Sequence, residues 1–110
     1  MLLIPSRYEP CGLTQMIAMR YGAVPVARRT GGLADTITDA AEPGGTGFLF
    51  DEYSPQALWD CLERALRVYA DPQKWRQMQR RGMRSDFSWK RPAARYTALY
   101  EQARAIRGSA

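Results

Sequence analysis

The sequence predicts an α/β fold in which about three parallel strands are followed by three helices at the C-terminal end of the chain. Three short apolar runs, Met1–Pro5, Ala23–Ala27 and Phe48–Phe50, have the composition and length of buried strands. Helical periodicity follows the first and the third run, as expected of parallel strands joined by crossover helices. The chain has 110 residues, enough for one small domain. Because the first strand starts at residue 1 with no helix before it, we interpret the pattern as the second half of a doubly wound domain.

The segment between the first two strands has the pattern of a helix. Apolar residues recur at intervals of three and four from about Gly12 to Tyr21, and Gly22 provides a stop. The internal Pro25 of the second run predicts either an edge strand or a strand that pairs on one side only at that point. Thr30-Gly31-Gly32 is expected to form a turn before a segment, Leu33–Thr38, of unassigned type.

The C-terminal half of the chain predicts three consecutive helices. Ser54 and Pro55 suit the cap and the first turn of a helix that continues through a regular apolar face. A second helix is expected to begin near Asp71-Pro72. A last helix is predicted from about Ser88 to Ile106, with Pro92 in its first turn, where the missing N–H does least harm.

Composition excludes several kinds of site and location. The chain has no histidine and two cysteines, Cys11 and Cys61, which excludes His-based metal sites, Ser-His-Asp triads and a disulfide framework. We therefore expect neither a metal nor a cofactor. No apolar run approaches the ~20 residues of a membrane span, and Arg7 and Glu9 interrupt the N-terminal apolar stretch that a signal peptide would need. We expect no membrane partner and a cytoplasmic location.

Basic charge is concentrated in the C-terminal part of the chain. Residues 64–110 contain twelve basic and three acidic residues, whereas residues 1–63 contain four basic and eight acidic ones. A charge distribution of this kind makes a polyanion such as a nucleic acid an alternative partner. The basic residues lie at helical spacing among apolar ones, however, and no nucleic-acid-binding motif accompanies them. We interpret them as solvated helix faces and expect no nucleic acid partner.

The turn after the first strand is the candidate ligand site, because ligands of open α/β sheets bind beyond the carboxyl ends of strands. The N–H groups of Gly12, Leu13 and Thr14 would lie at a helix start, where the helix dipole favours an anion such as phosphate. The carboxylate of Glu9 can accept hydrogen bonds from sugar hydroxyls. This combination suits a sugar nucleotide; the alternative is a well-capped helix beside a solvated glutamate.

Three segments carry a resemblance to a known family. Pro5–Gln15, which contains Glu-Pro-Cys-Gly-Leu-Thr at residues 9–14, Arg28–Thr36 and Asp86–Trp89 resemble the C-terminal domain of bacterial glycogen synthases and plant starch synthases. The resemblance extends from residue 1 to about residue 100. It implies a GT-B glycosyltransferase with two Rossmann-like domains. Such an enzyme transfers glucose, with retention, from ADP-glucose to the non-reducing end of an α-1,4-glucan.

The resemblance also implies roles for the residues of the motif. Glu9 would lie beside the donor glucose and be needed for turnover. The backbone at Cys11 and Gly12 would meet the glucose hydroxyls, and Leu13 and Thr14 would hold the distal phosphate.

Two further positions bear on this donor site. Thr30, Gly31 and Gly32 either help to close the donor pocket or form a plain turn. Related retaining enzymes carry a second glutamate eight positions after the first; here that position is Ile17, so we expect no second carboxylate.

The resemblance implies a division of the chain. Residues 1–88 would be part of the C-terminal, donor-binding Rossmann-like domain, and residues 89–110 a C-terminal helix that crosses to the N-terminal domain in the full enzyme. The family's N-terminal domain and the basic residues that neutralise the diphosphate are outside this chain, so we expect the isolated chain to be inactive. The alternative is a non-catalytic truncated or split-gene module that acts in assembly.

Self-association of the isolated chain is a further expectation. In a complete doubly wound domain the Met1–Pro5 strand would lie in mid-sheet, and here its flank would be open to another chain. The aromatic residues Trp89, Tyr96 and Tyr100 of the last helix would also lack their partner.

Overall fold

A computed structural model describes residues 1–109, which form three strands and five helices. In chain order these are β1 (Leu2–Ile4), α1 (Thr14–Arg20), β2 (Pro25–Arg28), α2 (Gly31–Thr36), β3 (Phe48–Phe50), α3 (Pro55–Tyr69), α4 (Pro72–Arg84) and α5 (Lys90–Gly108). The strands form one parallel sheet in the order β1-β2-β3. The expected α/β fold, with three parallel strands followed by three helices, is confirmed.

β2 is the central strand of the sheet, so the expectation of an edge strand is wrong. Pro25 is the first residue of β2 and pairs with Leu2 of β1, whereas pairing with β3 begins one residue later, between Val26 and Phe48. A proline is tolerated at the first position of a strand because its missing N–H interrupts no ladder. The alternative expectation, pairing on one side only at the proline, is confirmed.

The expected turn at residues 30–32 is instead the start of α2. Thr30 has extended backbone immediately before the helix, and Gly31 and Gly32 form its first turn. A Cβ atom on Gly31 would overlap the carbonyl group of Glu9, and one on Gly32 would overlap that of Cys11. The two glycines therefore permit the start of α2 to pack against the loop after β1.

The core occupies both faces of the sheet. Successive residues of each strand alternate between the faces: Val26 and Phe48 pack toward α3 and α4, whereas Ala27 and Leu49 pack toward α1 and α2. Burial of this kind on both faces is typical of parallel sheets and explains why the strands are almost wholly apolar.

The helices α3 and α4 begin where the sequence predicts. The Ser54 hydroxyl accepts a hydrogen bond from the backbone N–H of Ala57, and the Asp71 carboxylate accepts bonds from Gln73 and Lys74. Each cap satisfies N–H groups that a helix start otherwise leaves without a partner. Cys61 of α3 is buried in the core, where burial raises the pKa of its thiol.

The last helix, α5, extends away from the rest of the molecule. No residue of α5 is buried, and the molecule measures 60 × 30 × 22 Å. Trp89, immediately before the helix, is 76% exposed, and the rings of Tyr96 and Tyr100 lie 6.3 Å apart on its exposed surface. The aromatic side chains that were expected to lack a partner are thus open to solvent.

Candidate functional site

The loop that joins β1 to α1 carries the predicted site residues. It leaves the carboxyl end of β1 and ends at Leu13, so that α1 begins at Thr14, two residues later than predicted. Leu13 has helical backbone but supplies no side-chain cap. Gly12 adopts a φ of 72°, a left-handed conformation that favours glycine.

The loop presents its functional groups to solvent. Glu9 is half-buried, whereas Cys11, Leu13 and Thr14 are exposed. A cleft of about 570 Å³ lies between α2 and α5 and does not include these residues. Leu13 lines a second cleft, of about 840 Å³ between α1 and α4, whereas Glu9, Cys11 and Thr14 line neither of the two.

The start of α2 holds the backbone of this loop. The N–H of Gly32 donates a hydrogen bond of 2.9 Å to the carbonyl oxygen of Glu9. The absence of side chains at Gly31 and Gly32 allows the two backbones to approach. The structure thus brings the second predicted segment, Thr30 to Gly32, against the first, through the backbone of Glu9 and Cys11.

Gln15 is a site residue that sequence reasoning missed. Its side chain is completely buried, and its Nε2 amide donates to the carbonyls of Cys11 (3.1 Å) and Gly12 (2.9 Å) and to the hydroxyl of Thr36 (3.1 Å). The signal that could have found it is its spacing, since it lies one helical turn before the buried Met19.

Thr36 continues this network to α2. Its Oγ1 accepts from Gln15 and donates to the carbonyl of Gly32 over 2.6 Å. A single set of hydrogen bonds therefore links the start of α1, the end of α2 and the loop that carries Glu9.

A second link was also not predicted. Arg28, at the end of β2, donates from Nη1 to the carbonyl of Arg7 (2.5 Å) and from Nε to the carbonyl of Asp51 (3.1 Å). The guanidinium groups of Arg7 and Arg28 lie 5.7 and 5.6 Å from the centre of the Tyr53 ring. The segments that follow all three strands are therefore joined at one edge of the sheet, the edge that carries Glu9.

The loop and the start of α1 carry the half-buried Glu9, the exposed Thr14 and backbone N–H groups at the beginning of the helix. Such groups can bind the hydroxyls and the phosphate of a sugar nucleotide. Within residues 1–109, no cluster of three or more His, Cys, Asp and Glu side chains could hold a metal ion. No helix of that part of the chain is long and apolar enough to cross a membrane.

Comparison with known proteins identifies relatives over almost the whole chain. Residues 1–82 match the family model described as "Glycosyl transferases group 1". The chain is 57% identical over 110 residues to a glycogen synthase of Geotalea daltonii and 58% identical over 104 residues to one of Moorella thermoacetica, which covers 96% and 92% of this chain. These alignments cover 22% and 21% of the relatives, so the chain spans about a fifth of their length.

A solved structure shares the fold. The catalytic domain of starch synthase IV from Arabidopsis thaliana, bound to ADP and acarbose, superimposes with a TM-score of 0.82 at 44% sequence identity. The match covers 91% of this chain and 22% of the other.

Proposed function

The chain belongs to the group 1 glycosyl transferases, and from this premise we propose that it supplies part of the donor side of a glycogen or starch synthase. The complete enzyme would transfer glucose, with retention, from ADP-glucose to the non-reducing end of an α-1,4-glucan. Support comes from the glycogen synthases that the chain resembles and from a structural relative bound to ADP and acarbose. Because nucleotide sugars are soluble, we propose that this enzyme acts in the cytoplasm.

The observation that carries this proposal is the position of Glu9. Glu9 is half-buried on a loop at the carboxyl edge of the sheet, and its backbone carbonyl accepts a hydrogen bond from Gly32. Sugar-binding carboxylates of this kind accept hydrogen bonds from hydroxyls, and a negative charge beside the anomeric carbon stabilises the positive charge that develops there during transfer.

The other residues of the motif take complementary roles in the proposal. The backbone at Cys11 and Gly12 contacts the glucose hydroxyls. Leu13 and Thr14 hold the distal phosphate, with the exposed Thr14 hydroxyl donating a charge-assisted hydrogen bond. The proposed contribution of Thr30, Gly31 and Gly32 to the donor pocket is indirect. They support the loop that carries the groups named above.

In this proposal, residues 89–110, of which the structure describes 89–109, are the segment that crosses to the N-terminal domain of the complete enzyme through α5, and residues 1–88 are part of the donor-binding domain. The absence of any buried residue in α5 supports this division. The alternative is a non-catalytic module that acts in assembly, and the same exposed surface of α5 would then bind a partner protein. Activity separates the two, since only a donor-binding half restores transfer when it is joined to the rest of an enzyme.

The test is a hybrid enzyme in which residues 1–110 replace the matching segment of the Geotalea daltonii glycogen synthase. We expect the hybrid to transfer glucose from ADP-glucose to glycogen, and the 110-residue chain alone to transfer none. A folded hybrid without transfer would overturn the proposal, whereas transfer by the chain alone would overturn the expectation that the chain lacks part of the site.

A further inference from the structure

The buried side chain of Gln15 controls the direction of two peptide groups in the Glu9 loop. The carbonyl oxygens of Cys11 and Gly12 both point inward, to Gln15 Nε2. Because a trans peptide directs its C=O and its N–H to opposite sides, the N–H groups of Gly12 and Leu13 then point away from Gln15. These N–H groups belong to the surface proposed to meet the donor.

The hydrogen-bond partners determine how the Gln15 amide is oriented. Two of the three groups around Nε2 are carbonyl oxygens, which only accept, and the third is the Thr36 hydroxyl, which already donates to Gly32. The amide nitrogen, with its two N–H groups, can donate to these acceptors, whereas an oxygen in its place could donate to none of them. The other amide atom, Oε1, is buried with no hydrogen-bond partner among residues 1–109 and lies beside the Gly12 backbone. Burial of an unpaired oxygen costs stability, so packing alone does not account for a glutamine here.

We infer that Gln15 is a positioning residue of the donor site: it turns the carbonyls of Cys11 and Gly12 inward and thereby presents the N–H groups of Gly12 and Leu13 to the nucleotide sugar. The inference rests on the proposed function. Thr36 belongs to the same hydrogen-bond network, because its hydroxyl connects Gln15 to the start of α2.

The variants separate this role from a general effect on folding. Gln15→Glu has nearly the same shape but replaces the N–H donor by oxygen, which would face two carbonyl oxygens. Gln15→Met fills the same space without charge and without a donor. Thr36→Val removes the hydroxyl, and Thr36→Ser restores it. Gln77→Glu makes the same chemical change as Gln15→Glu at an exposed position of α4 and is the matched control.

The experiment measures donor and acceptor kinetics separately in the hybrid enzyme. We expect both Gln15 variants to lower kcat/KM for ADP-glucose about tenfold or more, with the KM for glycogen changed by less than about twofold. Thr36→Val should reduce kcat/KM for the donor and Thr36→Ser should recover it, and Gln77→Glu should stay within about twofold of the parent.

Different results overturn different statements. A lower Tm with unchanged donor kinetics per folded enzyme would make Gln15 merely structural and overturn the inference. If Gln15→Glu does not fold, Gln15→Met and the Thr36 pair decide the question.

A parent hybrid that folds without transfer overturns the proposed function itself. In that case amide hydrogen exchange in the 110-residue chain tests the loop: Gln15→Met should speed exchange at Gly32 about tenfold, and unchanged exchange would overturn the positioning role as well.

Discussion

The N–H of Gly32 donates a hydrogen bond of 2.9 Å to the carbonyl oxygen of Glu9. This bond joins the start of α2 to the loop whose Glu9 side chain is proposed to contact the donor sugar. The bond requires the two backbones to approach closely. A Cβ atom on Gly32 would overlap the backbone of Cys11, so glycine is the residue that permits the contact.

Replacing Gly32 by alanine should therefore displace the site loop. The added methyl group meets backbone, which cannot move aside as a flexible side chain can, and such overpacking costs about 1–3 kcal/mol. We expect urea unfolding to show this loss and the hybrid enzyme to show a raised KM for ADP-glucose. Gly108→Ala, where a Cβ meets nothing within contact distance in this chain, is the control and should not lower the chain's stability to urea. A Gly32→Ala protein with parental stability and donor KM would refute the packing argument.

Asp39 should contribute stability that disappears in acid. Burial works against its charged form, but hydrogen bonds from Arg64 (3.1 Å to each carboxylate oxygen) and from the N–H groups of Ala41 and Leu49 outweigh burial and hold the pKa of its carboxyl below the usual value. A lowered folded-state pKa means that the stabilisation is complete above the unfolded-state pKa of about 3.9 and is lost as the pH falls through the folded value.

The substitution Asp39→Asn tests that dependence. We expect it to reduce the free energy of unfolding at pH 7 by roughly 1–3 kcal/mol, and the difference from the parent to shrink below about pH 4. Urea titrations across this pH range measure both, with the exposed Asp35→Asn as the control. A difference that stays constant down to the acid limit would show that the charge of Asp39 is not the cause.

Thr14→Val should weaken nucleotide binding more than it weakens folding. Thr14 is exposed at the first position of α1 and makes no side-chain cap there, so its hydroxyl contributes little to stability. Loss of one hydrogen bond to a charged phosphate costs roughly 1.5–3 kcal/mol. Calorimetric titration of the hybrid with ADP-glucose measures the loss, and Thr14→Ser should retain affinity. Equal donor affinity in the parent and in Thr14→Val would mean that Thr14 does not touch the phosphate.

The isolated chain should self-associate. Among the strands of residues 1–109, only β2 pairs with β1, whose Leu3 is 43% exposed, and an apolar strand edge of this kind invites pairing with a second chain. Sedimentation at micromolar concentration should show dimers or larger species, and Leu3→Lys should shift them toward monomer because a charged side chain opposes edge pairing. A parent chain that sediments as a monomer at every concentration would contradict this expectation.

Local signals in the sequence predicted what depends on local chemistry. Ser54 and Asp71 marked the starts of α3 and α4 because a capping side chain acts on its own helix. The role of Gly32 could not be predicted, because the space for a Cβ is set by a loop distant in sequence. The spacing of Gln15 from the buried Met19 indicates that Gln15 is buried, but its hydrogen-bond partners on the loop and on α2 could not be predicted from a short helix alone. The turn that carries Glu9 was predicted from its position after the first strand; the role of Glu9 in transfer is implied by the resemblance and stays a prediction.

The central claim is that Glu9 belongs to the donor side of a glucosyltransferase. Its most direct test is the rate of glucose transfer from ADP-glucose to glycogen by the hybrid enzyme and by its Glu9→Ala variant, at matched amounts of folded protein. The account predicts active parent enzyme and a loss of about 10³-fold or more in kcat for Glu9→Ala, with an unchanged melting temperature. Near-normal turnover by the Glu9→Ala enzyme would contradict it.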